Sequence, residues 1–245
     1  MDDVRQRPAT RKELAEIVDY VLLAPDSSEA EVQAGCQLAR SLGLASVVVR
    51  PSDVEMAVRA LEGCSVRVGS VAAFPHGNAT TAVKLYEVND LLRRGARELD
   101  VTLNAGKMRS RQFVHIESEM LQAASACRAA GALFRMLIEP GGMDTDLRVI
   151  ACRIARRVEA DCLTLGSGFG PAFAAPAELE FFTARLAGKI TLRVGVATED
   201  LGECLALHAA GCGRIAAAKP AAILAEWEKR LEEEKGRGEA AGPTA

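Results

Sequence analysis

Two hydrophobic rhythms alternate along this chain. Short apolar runs rich in β-branched residues are each followed by a longer stretch whose apolar positions recur at helical spacing. The short runs are Val18–Leu23, Val47–Val49, Val66–Phe74, Glu98–Leu103, Leu133–Glu139, Cys162–Leu165, Ile190–Ala197 and Gly213–Ala218. Continuous runs such as Val47-Val48-Val49 suit parallel strands covered on both faces. The helical stretches carry their own punctuation. Ser28 with Glu31 three residues on forms a capping box ahead of Glu29–Leu42, Pro51-Ser52 opens the next helix, and Gly95 and Gly131 stop Thr80–Arg94 and Gln112–Ala130. Helices are predicted also at Lys12–Val18, Asp144–Val158, Pro176–Leu186, Asp200–Ala210 and Ala221–Glu234, with Lys107 in a loop. Eight strand–helix units predict a closed (β/α)8 barrel, a TIM barrel in the α/β class. An open doubly wound sheet is the competing architecture, but no GxGxxG turn follows the first strand. The expected organisation is an N-terminal arm and short helix over 1–17, a single barrel domain over 18–234, and a frayed tail over 235–245.

Composition narrows the function classes. The 245 residues match one such barrel, which typically needs about 250. Net charge is −3 with the basic residues scattered, so no nucleic-acid footprint is present. No apolar run approaches the roughly 20 residues that span a bilayer, and the first residues lack the apolar core of a signal peptide. A cytoplasmic protein with no membrane association is the expectation. Seven cysteines form no CxxC pair and sit inside apolar patterns, as reduced buried thiols do. No HxH, HExxH, GxxxxGKS/T or GxSxG motif occurs, so neither a metal nor another cofactor is expected.

The richest stretch is Asp161–Gly170, DCLTLGSGFG, in which a strand breaks into a glycine-rich turn of mobile backbone N–H groups. It resembles strand six of the deoxyribose-phosphate aldolase family, DFxKTSTGFG. Further matches follow in order from Val18 to about Leu224: Asp19-Tyr20-Val21-Leu22-Leu23 for DYTLL, Phe74-Pro75-His76-Gly77 for FPHG, Glu98–Asn104 for EIDMVIN, and Leu137-Ile138-Glu139 for IIE. Each is weak alone; their order and spacing carry the resemblance. It implies a class I aldolase barrel whose strand-six lysine forms an imine with an aldehyde, beside a proton-handling carboxylate at Asp100. Here the imine position is Thr164. The family's second lysine, in VKASGG on strand seven, aligns with Arg193, or with Ala197 if the following loop is shortened. The strand-five lysine of LLKVIIE aligns with Arg135.

These replacements bear on chemistry. An imine needs a neutral amine; a threonine hydroxyl cannot supply the electron sink, and arginine stays protonated. The candidate catalytic set is therefore Asp100, Thr164, Arg193, Arg135 and Asp19. Asp100 lies among Leu99, Val101 and Leu103, where a charge demands a partner or a task, and Arg135 is the neighbouring cation available if that role is structural. For a substrate phosphate, the resemblance points to Gly166, Ser167 and Gly168. The second family turn, GTSSG, has become Ala216-Ala217-Ala218-Lys219-Pro220, leaving Lys219 as either a compensating cation or a surface residue. His76 reads as part of a structural turn, and His115 and His208 as helix surface or packing residues.

Three functions fit. The chain binds a small phosphorylated or anionic carbonyl compound and performs lyase, proton-transfer or cyclisation chemistry without an imine. Or it is a pseudoenzyme, a binding or subunit-interaction module. Or Lys219 rescues the aldolase imine. A solvated pocket joining Asp100, Thr164 and Lys219 would mark an enzyme; a mouth plugged by Phe169, Phe173 or paired arginines would mark the pseudoenzyme. Homo-oligomerisation is compatible with each.

Overall fold

The computed structural model of the chain describes residues 7–170, 175–186 and 188–240. Eight strands pair in parallel around a closed barrel in chain order: β1 (Val18–Leu22), β2 (Ser46–Val49), β3 (Arg67–Ala72), β4 (Glu98–Thr102), β5 (Leu133–Ile138), β6 (Cys162–Leu165), β7 (Thr191–Thr198) and β8 (Arg214–Ala217). Around them run α1 (Arg11–Ala15), α2 (Glu29–Leu42), α3 (Val54–Ala60), α4 (Thr81–Arg93), α5 (Ala105–Arg109), α6 (Phe113–Ala129), α7 (Thr145–Arg157), α8 (Ala175–Leu186), α9 (Leu201–Ala209) and α10 (Pro220–Ala240). Among the described residues no helix is long and apolar enough to cross a membrane.

Period-two alternation divides each strand between two environments. Leu99 and Val101, Phe134 and Met136, Leu163 and Leu165, and Leu192 and Val194 belong to the apolar layer between sheet and helices. The intervening residues point into the barrel, and they are of two kinds. Val21, Val48, Val71 and Leu137 gather at the C-terminal end, whereas Asp19, Glu98, Asp100, Arg135, Arg193 and Arg214 fill the space beneath and towards the N-terminal end.

Several boundaries differ from the sequence expectation for local reasons. The capping box is present, with Ser28 and Glu31 exchanging bonds. The third strand stops at Ala72, because Ala73 takes a positive φ of 52° and turns its N–H to Glu87 Oε2 at 2.6 Å. The stretch holding Lys107 is helical rather than a loop, since Asn104 caps it by accepting from Lys107 N at 2.9 Å. The arm is docked from Arg7 onward: its guanidinium stacks 4.2 Å from the Trp227 ring and pairs with Glu234 at 2.8 Å. Helix α10 continues through Ala240, so the first part of the expected tail is helical; 1–6 and 241–245 lie outside the described residues.

One ion pair fastens the helical layer. Lys84 of α4 and Glu119 of α6 are both buried, 2.5 Å apart, and Lys84 also donates to the Thr102 carbonyl at 2.7 Å. Thr81 Oγ1 donates to the second oxygen of Glu119 at 2.9 Å. Burial lowers the Lys84 pKa, and the Glu119 hydrogen bond and charge oppose that shift. Removing one partner of such a pair strands a charge, at a cost of ~3–5 kcal/mol, whereas removing both can be near neutral. Lys84→Met alone should therefore lower the unfolding free energy in a urea titration by that amount, and Lys84→Met with Glu119→Leu should restore most of it.

Candidate functional site

Parallel pairing brings the inward residues into contact. Asp100 on β4 is the register partner of Arg135 on β5, and Thr164 on β6 that of Arg193 on β7. Asp19 accepts from Ser46 Oγ (2.7 Å) and from Arg214 on one oxygen, and from Arg193 Nε (2.7 Å) and Arg135 Nη1 (3.4 Å) on the other. Burial works against the Asp19 charge, but Arg135, Arg214, Arg193 and the Ser46 hydroxyl outweigh it and hold the carboxyl well below its ordinary value. Glu98 receives Arg67 Nη1 at 3.1 Å, Arg214 Nη2 at 3.1 Å and Arg135 Nη2.

Asp100 is held differently. Its closest partner is the Thr164 hydroxyl, which donates to Oδ1 at 2.5 Å. Arg135 and Arg193 lie 3.5 Å from Oδ2, within ion-pair range but beyond the hydrogen-bond reach expected of a partnered carboxylate. Burial dominates, and the Asp100 pKa is raised despite Arg193 and the Thr164 bond. Arg135 is lowered to about 10, chiefly by burial, while Asp100 and Asp19 overcome burial at Arg193 and raise it. Cys162, which points into the same space, is pushed up to about 12 by burial and is no thiolate nucleophile at neutral pH.

Above this network the barrel is nearly shut. The cavity at the mouth, bordered by Val48, Val71, Phe74, Asp100, Leu137 and Arg193, measures about 10 Å³, room for roughly one water. Strands β6 and β7 approach so closely that a Cβ on Gly195 would lie 2.8 Å from Thr164 Cγ2 and collide with the Gly166 carbonyl. Phe169 packs edge-on against Phe74, ring centroids 5.6 Å apart. Phe173, the other expected plug, lies outside the described residues.

The glycine-rich turn has an internal anion. Glu139 Oε1 accepts the Ser167 N–H at 2.8 Å, and a Cβ on Gly170 would overlap the same carboxylate. Gly166 and Gly168 have positive φ, 78° and 86°, which keeps the turn compact. Lys219 does not join this turn: it is exposed and paired with Glu199. Inward positions thus bring together Asp100, Thr164, Arg193, Arg135 and Asp19, but spread along the axis rather than gathered at one end, and with Lys219 apart from them. His76 is exposed, and Gly77 explains its turn, since any Cβ there would lie 2.6 Å from Leu103 C at a φ of 68°. His115 is exposed and touches Thr81, while His208 is buried with Nδ1 beside the Cys212 carbonyl. Glu98 and Arg214 are the members that sequence reasoning missed. The signal was available: in Glu98-Leu99-Asp100 the two carboxylates share a strand face, and Arg214 opens the apolar run of β8.

No protein-family model matches the chain. Curated relatives do. A deoxyribose-phosphate aldolase of Thermoanaerobacter pseudethanolicus is 27% identical over 88% of this chain and 97% of its own length. One from Streptococcus pneumoniae is 29% identical over 86% and 95%. The solved structure of the tetrameric deoxyribose phosphate aldolase from Aeropyrum pernix superposes with a TM-score of 0.84 at 21% identity, covering 91% of this chain and 94% of that one, which speaks to the fold. Along nearly the whole barrel, the chain is similar in sequence to deoxyribose-phosphate aldolases, on a fold of the same topology.

Proposed function

We propose that this protein keeps the aldolase barrel without the imine chemistry, its centre turned from a reaction site into a structural ion-pair network. The observation that carries this reading is the Thr164 hydroxyl bonded to Asp100 where the family resemblance asks for an amine. The surroundings support it. None of the seven lysines lies on a strand: Lys84 is buried among the helices and Lys219 is paired at the surface. A cavity of about 10 Å³ admits no sugar phosphate, and Glu139 already holds the Ser167 N–H that an incoming phosphate would use. Exposed Val83 and Tyr86 on α4 and Val114 on α6 favour a role in association, including with further copies of the chain.

A second reading rests on one observation. Asp100 borders the mouth cavity with a raised pKa, a property suited to proton transfer on a small phosphorylated or anionic carbonyl compound. It requires the mouth to open and Asp100 to exchange Thr164 for substrate.

Two measurements separate these readings. Borohydride treatment with acetaldehyde or deoxyribose 5-phosphate should leave the intact mass of the wild type unchanged, and retro-aldol cleavage should stay at background. Thr164→Lys should recover only a trace, since the new amine would face Arg193. Robust wild-type turnover lost in Lys219→Ala would instead establish a displaced imine lysine, and turnover that survives that substitution would favour Asp100.

The second measurement is stability. Asp19 is depressed in the folded state, so its contribution is complete above about pH 4, the ordinary carboxylate value, and is lost as pH falls towards the folded value. Asp100 is raised, so its ionisation costs stability as pH rises, and acidification removes that cost. At pH 7, Asp19→Asn should destabilise the fold by ~3–5 kcal/mol. Asp100→Asn, which can still accept from Thr164, should cost about 1 kcal/mol. Equal losses in a denaturant titration would mean that the two carboxylates do not differ as described.

A further inference from the structure

Charges inside the barrel do not cancel. Asp19, Glu98 and Asp100 face Arg135, Arg193 and Arg214, and Arg67 adds a fourth guanidinium at the N-terminal end. Glu98 alone serves Arg67, Arg135 and Arg214. At the C-terminal mouth the network is covered by apolar side chains. At the other end it is not.

Arg67 and Arg214 both border an open cavity of about 470 Å³ on the N-terminal face, between α1, the end of α2 and the start of β3. Arg11, Lys12 and Arg40 also line it, against a single lining carboxylate, Glu16. Neutralisation of these cations is incomplete. Lys12 and Glu16 are 3.7 Å apart and both exposed, and Arg11 reaches Glu228 only at 3.7 Å. Arg40 has the Ala60 carbonyl, at 3.3 Å, rather than a carboxylate as its partner. The carbonyls at the end of α2 would repel an anion, but Gly43 N and Leu44 N cap those of Arg40 and Ala39. Nor does the basic lining follow from bulk composition, since the chain as a whole carries −3.

We propose that this basal cavity is a binding site for a phosphate-bearing small molecule, gripped by Arg40, Arg67 and Arg214 with Lys12 and Arg11 at its rim. Guanidinium forks pair with phosphate oxygens through two parallel N–H bonds, and several converging cations favour a dianionic group over a single carboxylate. The ligand supplies counter-charge to Arg40, whose partner is a carbonyl, and to Arg67, which shares Glu98 with two other arginines. The site lies at the opposite end of the barrel from the mouth, so it stands whether or not the barrel centre is catalytic.

Calorimetric titration of the full chain with inorganic pyrophosphate, at constant ionic strength, tests the proposal. Saturable binding is expected, weakened about tenfold or more by Arg40→Ala and by Arg67→Gln and unchanged in Lys219→Ala. Both arginine variants alter partly exposed side chains, and an unchanged melting temperature would show that they fold. Citrate, titrated in parallel, should bind more weakly than pyrophosphate. The proposal is overturned by absence of saturable binding, by binding that survives both arginine substitutions, by loss of binding in Lys219→Ala, which would move the site to the mouth, or by citrate binding as tightly as pyrophosphate.

Discussion

A carboxylate removed from water must find cations, and Asp19 finds three. Arg193 and Arg135 reach one oxygen, Arg214 the other, and Ser46 fills the remaining hydrogen-bonding position. The rest of the interior is conditioned by that arrangement. Each arginine it holds is shared with a second carboxylate, Glu98 or Asp100, so removing the charge of Asp19 or of one of these arginines strands a partner. Such a network need not make the fold more stable than an apolar core would. Its consequence is that single substitutions are expensive and that the interior has one arrangement.

Substituting arginine for lysine on a barrel strand changes more than side-chain length. A lysine amine can lose its proton when buried, and an imine-forming site depends on that. Arginine stays protonated at neutral pH, so a buried arginine obliges the barrel to supply counter-charge. Asp19 and Glu98 supply it here, and with the polar groups so engaged, Val21, Val48, Val71 and Leu137 close the C-terminal mouth. Polarity that barrel enzymes place at the mouth is displaced towards the base, where Arg67 and Arg214 meet solvent.

Much of this fold is written plainly in the chain. Runs such as Val47-Val48-Val49 permit only a doubly covered strand, and the glycine stops at Gly95 and Gly131 bracket the helices between them. Ala73 was not legible, because a non-glycine residue with positive φ ends the third strand without a sequence signature. The candidate site was legible one residue at a time but not as a network. Asp100 and Arg135 stand out as charges in apolar runs. That Thr164 rather than Arg135 would be Asp100's closest partner depends on the stagger of three strands, which no local pattern encodes. Lys219 was open to two readings, a compensating cation or a surface residue, because its position after β8 does not reveal that nearby Glu199 pairs with it at the surface.

The buried charges act as one mutually dependent unit, and a double-mutant cycle between Asp19 and Arg193 measures that dependence. Unfolding free energies of the wild type, Asp19→Asn, Arg193→Gln and the double variant, taken at neutral pH, give the coupling. A coupling of about 2 kcal/mol or more is expected, with the double variant far less destabilised than the sum of the singles. Additivity within ~0.5 kcal/mol would contradict it, because the two side chains would then be independent neighbours rather than parts of one network.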